Sequence, residues 1–169
     1  MSAKEFYVNG FKTTIIHKSD FEAVGYTRPV NLDGVSIPQF IKELTENGQM
    51  SKLYATLQAP QQIWVCLSHG ESDDGFDCRC TVCVFNSHQH DYSHFEKNEL
   101  FTIPVPASEW ADFEVGKSQS PTELHKHSAY SLVEKTGYTF NGNVGLHFDN
   151  EHEWEPGKKM NFLLPVIPV

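Results

Sequence analysis

Basic residues are scarce in this chain of 169 residues: 13 Lys and Arg stand against 22 Asp and Glu, a formal charge of −9 with nine His neutral. Phosphate backbones are held by clusters of Lys and Arg, and the lack of such clusters argues against nucleic acid as a direct partner. The same lack argues against anionic membrane surfaces. Long hydrophobic runs are missing too, since nothing approaches the roughly 20 apolar residues that span a bilayer. The opening residues Met1 to Phe6 show no basic-then-apolar run of a secretory signal. A cytoplasmic setting follows as the default. There the sparse cysteines, Cys66, Cys78, Cys80 and Cys83, are expected as thiols rather than disulfides. The acidic balance suits a soluble protein and permits a site that draws in cations.

What is present is strand-like sequence cut by turns. Asn9-Gly10, Asp33-Gly34, Asn47-Gly48, Asp74-Gly75 and Asn141-Gly142 each supply a residue tolerant of positive φ. Between them, runs of β-branched and aromatic residues predict strands near 12–18, 21–30, 61–68, 76–85, 100–105, 108–115, 144–149 and 160–167. Two segments read as helices. One opens at Ser36-Ile37-Pro38-Gln39, where Ser36 and Gln39 have capping-box spacing, and Asn47-Gly48 ends it. The other opens at Ser120-Pro121-Thr122-Glu123 and ends at Gly137. Lys52-Leu53-Tyr54 suggests one further turn.

The order strand, helix, strand pair recurs. Phe21 to Tyr26 resembles Ser108 to Phe113, the helix at Ser36 answers that at Ser120, and Gln61 to Leu67 answers Gly142 to Phe148. No linker separates the halves. The expectation is one α+β domain over 1–169, with internal repeats at about 12–85 and 100–167. Two such halves can pair their strands and leave a groove between them.

These residues resemble a known family. Phe21-Glu22-Ala23-Val24-Gly25, Ile37-Pro38-Gln39-Phe40 and Ile63-Trp64 are similar to the first half of the effector-binding domains attached to AraC-type and MerR-type transcription regulators. Free-standing members are called GyrI-like proteins. Ile103-Pro104-Val105-Pro106-Ala107-Ser108-Glu109-Trp110-Ala111-Asp112-Phe113 and the closing Asn161-Phe162-Leu163-Leu164-Pro165-Val166 are similar to segments of the second half. The resemblance runs from about Lys12 to Val169. It implies duplicated β-α-β-β units related by a pseudo-twofold, with an antiparallel sheet curved around a central ligand groove. It also implies binding of small hydrophobic, planar or cationic molecules, held by an aromatic cage and a carboxylate. Only about a dozen residues precede Lys12, too few for a DNA reader, so a stand-alone module is expected.

Strand alternation selects candidate ligand-binding residues. In 144–149, Val144, Leu146 and Phe148 are expected against the helices, with His147 and Asp149 turned toward the groove. In 109–115, Ala111, Phe113 and Val115 take the apolar face, while Trp110 and Asp112 take the other. Trp64 is the matching aromatic of the first half, Tyr26 pairs with Phe113 in the repeat, and Trp154 sits in a loop able to cover the groove. The family's groove Glu maps to His147 or Asp149. Asp149 is preferred, because a carboxylate is what a cation needs.

No metal site is read from Cys78-Arg79-Cys80-Thr81-Val82-Cys83 or from the loop of His88, His90 and His94, and no cofactor is implied. Three functions stay open. The first is a stand-alone drug or effector binder serving sensing, sequestration or transcription-linked regulation. The second is a hydrolase of electrophilic small molecules using a groove carboxylate, and the third a gyrase-inhibitor-like protein that binds another protein. The partner is a small ligand, with a homodimer or a separate regulator protein also open.

Overall fold

Runs rich in Val, Ile, Thr and aromatics become strands because those side chains fit a pleated, half-buried surface. The computed structural model describes residues 4–8, 10–58, 62–68, 75–116, 133, 135–150 and 160–169. In chain order these form β1 (Lys4–Val8), β2 (Phe11–Lys18), β3 (Phe21–Val30), α1 (Ser36–Glu46), α2 (Gln49–Leu57), β4 (Trp64–Ser68) and β5 (Cys78–Asn86). There follow β6 (Phe101–Val105), β7 (Ser108–Val115), β8 (Tyr138–Phe140), β9 (Phe148–Asp149) and β10 (Met160–Pro168). The fold is α+β with antiparallel strand pairs. Among the described residues no helix is long and apolar enough to cross a membrane.

The chain divides into two compact units, Met1–Asp20 with Pro106–Val169, and Phe21–Val105. In the continuous unit, β5 pairs with both β4 and β3, and β3 pairs with β6. In the discontinuous unit, β10 pairs with β9, β8 and β7, β7 pairs with β2, and β2 with β1. The same inner order therefore appears in both: β4-β5-β3 in one, β9-β10-β7 in the other. The outer strand is contributed differently from what chain order suggests. β2 comes before β3 in sequence yet pairs with β7, and β6 comes before β7 yet pairs with β3.

Hydrophobic periodicity seats the helices of the continuous unit. Ile37, Phe40 and Leu44 of α1 and Met50, Leu53 and Leu57 of α2 are buried. They pack on Val24, Tyr26, Val30, Val65, Val82 and Val84 from β3, β4 and β5. Each fully buried aliphatic or aromatic side chain contributes about 1.5–3 kcal/mol. Lys52-Leu53-Tyr54 thus belongs to a full helix rather than a single turn. Gly48, at φ +76°, makes the left-handed link that lets α2 start directly after α1.

The expected capping box at Ser36 does not form. Asp33 does the capping: its Oδ1 accepts from the backbone N–H of Val35 at 2.9 Å and of Ser36 at 2.8 Å, and its Oδ2 accepts from Ser36 Oγ at 2.9 Å. These hydrogen bonds hold the Asp33 carboxyl below its ordinary value. Its contribution to stability is therefore complete above the unfolded-state value and is lost as pH falls through the lowered folded-state value. Asp33→Ala is expected to lower the thermal midpoint at neutral pH, and the gap from wild type should close on acidification. A gap that stays constant into strong acid would contradict the cap.

The second expected helix, at Ser120, lies outside the described residues, apart from Val133 and residues 135–137 at its end. The strand expected at 144–149 shortens to Phe148–Asp149. Asn141 takes the preceding residues into a turn: its backbone oxygen accepts from the N–H groups of Val144 and Gly145, both at 3.2 Å, and its side chain accepts from Asn143 N–H at 3.1 Å. Gly145 closes that turn at φ +67°.

Candidate functional site

Cross-strand pairs share a face of a sheet, so the registers assign each candidate residue to a side. In the continuous unit, Trp64 opposes Cys83, which opposes Gly25, and Phe85 opposes Ala23. Trp64, Cys66, Phe85, Cys83 and Phe21 therefore lie on the face turned away from α1 and α2. Trp64 stacks on Phe85 with ring centroids 5.0 Å apart and planes at 9°, and Phe85 meets Phe21 at 4.6 Å. Trp64 is buried at 8% exposure. Phe85 and Phe21 extend the aromatic run, and period-two alternation along their strands would have found them.

Tyr26 lies on the opposite face, under the helices. Its hydroxyl donates to the backbone oxygen of Gln49 at 2.9 Å. Burial, with the charge of Glu99 adding to it, pushes the phenol up to about 12. It lines a cleft of about 360 Å³ with Arg28, Phe40, Glu43, Gln49 and Glu99. Arg28 stacks over Phe40 at 4.1 Å and binds Glu43 at 2.7 Å. Tyr26 is thus on a different face from Trp64.

In the discontinuous unit, three rows cross the sheet on one face. Lys12, Glu114 and Asn161 form the first. Thr14, Asp112, Leu163 and Phe148 form the second. Ile16, Trp110 and Pro165 form the third. Trp110 is fully buried, with its ring 6.0 Å from that of Phe148. Asp112 is partly exposed and accepts from Asn161 Nδ2 at 2.8 Å. Burial raises the Asp112 carboxyl above its ordinary value. The Asn161 hydrogen bond opposes this, the charge of Glu114 adds to it, and Lys18 and Lys12 pull it back.

The other face of this unit holds its core: Phe11, Ile15, Ala111, Phe113, Val115, Met160, Phe162, Leu164 and Val166. Thr13, Phe113, Phe162 and Asp149 form one row there. Asp149 is 3% exposed, and the ring of His147 stacks on Phe162 at 5.4 Å. The expected alternation is therefore inverted. Phe148 joins Trp110, Asp112 and Leu163, whereas His147 and Asp149 share the side of Phe162. The cause is pairing: once Phe148 opposes Leu163, its neighbours must take the other side. Next in the chain, Asn150 accepts from Asn161 N–H at 2.6 Å. Trp154 lies outside the described residues.

All four cysteines are buried and carry no disulfide. Burial, and then the charge of Asp77, raises the Cys78 thiol. The histidines of the 88–94 loop diverge. His90 Nε2 meets Asn86 Oδ1 at 3.1 Å, and His94 Nε2 meets Thr56 Oγ1 at 2.8 Å. Among the described residues no three His, Cys, Asp or Glu side chains gather as metal ligands would.

Residues 11–151 match the GyrI-like small molecule binding domain. Among solved structures, one similar to this chain is SAV2435 bound to tetraphenylphosphonium, at 10% identity and TM-score 0.63, covering 99% of this chain and 94% of that one. Another is the C-terminal domain of EcmrR, at 11% identity and TM-score 0.59, covering 94% and 99%. A third is a hydrolase encoded by lin2189 from Listeria innocua, at 11% identity and TM-score 0.51, covering 92% and 91%. Identities this low carry the fold alone. No curated protein sequence matches the chain.

Proposed function

From the premise that this chain belongs to the GyrI-like small molecule binding domain family, we propose that it binds hydrophobic, planar or cationic ligands, in a sensing or sequestering role. The coarser statement, that it is a small-molecule-binding domain, is what family membership conveys. The finer one rests chiefly on a single feature: Trp64 with Phe85 in one unit, and Trp110 with Phe148 in the other, lie on the sheet face turned from that unit's own core. Aromatic faces suit flat apolar ligands, and a ring over a desolvated cation adds about 2 kcal/mol or more. The net charge of −9 favours approach of a cation. SAV2435, which shares the fold, carries an aryl cation of this class. In this reading Trp64, Trp110 and Asp112 are the ligand-facing candidates. A cytoplasmic location fits four cysteines that are all thiols, and ligand occupancy would reach transcription through a separate regulator protein.

The test is a titration with tetraphenylphosphonium, followed by tryptophan fluorescence and calorimetry. Saturable one-site binding with a change in tryptophan emission is expected. No binding across a panel of aryl cations and their neutral counterparts would overturn the proposal.

A further inference from the structure

We infer that the edge of β3 from Tyr26 to Val30, together with the facing side of α1, is a docking groove for an extended segment of a partner protein. That segment carries an apolar residue and a Lys or Arg two positions apart. The inference goes beyond small-molecule binding and does not depend on it. Strand pairing leaves the edge open. β3 pairs with β5 from Glu22 to Val30, but on its other side β6 covers only Phe21 to Gly25. Among the described residues no strand pairs with Tyr26–Val30 on that side. Two clefts lie along this stretch. The first, of about 360 Å³, is lined by Tyr26, Thr27 and Arg28. The second, of about 380 Å³, is lined by Arg28, Pro29 and Val30. A cleft on one face of a strand meets every second residue, so lining by consecutive residues marks the edge. The facing wall is α1, with Phe40, Glu43 and Asn47 in the first cleft and Ser36 and Gln39 in the second. These positions are spaced to fall on one side of a helix. A strand edge beside a helix is a setting in which an extended peptide adds to a sheet.

Spacing and chemistry identify the occupant. The two clefts are displaced by two strand residues, about 6.6–6.8 Å, which is the separation of side chains on one face of an extended chain. Such a chain sets one side chain on each side of Arg28. The Arg28 guanidinium ties β3 to α1, binding Glu43 Oε2 at 2.7 Å and stacking 4.1 Å over Phe40. The second cleft has the exposed apolar residues Val35 and Phe76 at its rim. An apolar side chain suits it. The first cleft holds two acids, Glu43 and Glu99, against the base Arg28. Glu99 Oε2 accepts from the N–H of Glu96 at 2.8 Å and meets Lys52 at 3.5 Å, while its Oε1 has no partner among the described residues. That oxygen suits a Lys or Arg of the partner, and the net charge of −9 favours its approach. Pro29 has no N–H, so this edge offers fewer backbone donors than an ordinary one. Side chains must then supply much of the affinity, and the complex is a weak, transient one.

Random heptapeptides displayed on phage are selected on the full chain, and the enriched sequences are made as labelled peptides for titration and hydrogen exchange. Enriched peptides should place a Lys or Arg two positions from an apolar residue. Bound peptide should slow exchange of backbone amides within Tyr26–Val30, as an added strand does. Val35→Glu and Glu99→Gln, each first checked for native circular dichroism, should weaken the peptide about tenfold. If Val35→Glu does not fold, Phe76→Ser replaces it with the same expectation. Absence of any enriched peptide would overturn the inference, as would enrichment of acidic peptides. So would affinities indifferent to the substitutions in both clefts, or unchanged exchange within Tyr26–Val30. Displacement of the peptide by tetraphenylphosphonium would also overturn it, by putting both on one surface. A chain that binds peptide in this way but no phosphonium supports the groove and rejects the proposed function alone, so the two failures are told apart.

Discussion

Gly25→Ala is expected to lower the melting temperature sharply. A Cβ placed at Gly25 would stand 1.9 Å from the backbone oxygen of Val82 and 2.7 Å from Cys83 Cα. These are main-chain atoms of β5, so no side chain can swing aside to relieve the clash. Strand β3 would have to part from β5 along a register that runs from Glu22↔Asn86 to Val30↔Cys78. The cost is expected at about 3 kcal/mol or more, at or beyond the upper end of overpacking penalties. For a chain of this size that is a fall of roughly 6–12 °C in melting temperature. Gly48→Ala is the comparison. There the φ of +76° is unfavourable to alanine, but nothing lies within 4 Å of the added carbon. It should cost only about 1–2 kcal/mol, the ordinary penalty of a left-handed residue. Equal losses in the two variants would show that Gly25 is kept for flexibility rather than for space.

Trp110→Ala should be the most damaging of the tryptophan substitutions at described positions. The indole is fully buried, set between Ile16 and Pro165 in the register and against Phe148. Removing it takes away a large apolar surface and leaves a void, worth about 3–5 kcal/mol. The urea midpoint should fall with the slope nearly unchanged. Trp110→Phe should recover much of the loss by refilling the space. A loss of stability under about 1 kcal/mol for the alanine variant would show that the indole does not anchor this sheet. Ligand titration on Trp110→Ala must therefore be read together with its stability, because lost binding there does not by itself report lost contact. Asp112→Asn, at a partly exposed position, separates the two more cleanly.

Local pattern was a good guide wherever a segment's neighbours are interchangeable. Seven of the expected strands reappear with ends shifted by up to three residues: β2, β3, β4, β5, β6, β7 and β10. Helix α1 was legible as a helix opening near Ser36, and its end from Asn47-Gly48. The start of α1 was misassigned within its own loop: Asp and Ser both suit a cap, and it is Asp33, not Ser36, that reaches the free N–H groups. Strands β1 and β8 went unseen. β1 is a five-residue run with Lys4 and Glu5 exposed, and the three residues of β8 are strand only because Val166, Ile167 and Pro168 pair with them.

The candidate site divides in the same way. The faces of Trp64 and Trp110 relative to their strand neighbours were fixed by alternation, since a period of two is built into any extended backbone. So was the pairing of His147 with Asp149 on one side. Which side is the core, however, was not a local property. Residues 144–149 offer apolar groups at Val144, Leu146 and Phe148, and sequence alone orients them inward. In the structure, the turn held by Asn141 ends the alternation, and Leu163 takes Phe148 as its partner. A shift of one residue in a pairing exchanges every side chain between faces.

The sequence by itself determined an acidic chain, the α+β class, most strand positions, the family resemblance and the alternation within each strand. Only the tertiary structure decided that β2 joins β7, that β6 joins β3, and that Asp112 rather than Asp149 shares a face with Trp110 and Phe148. The reason is physical: composition and periodicity act over a few residues, whereas a register is set by hydrogen bonds between segments far apart in the chain.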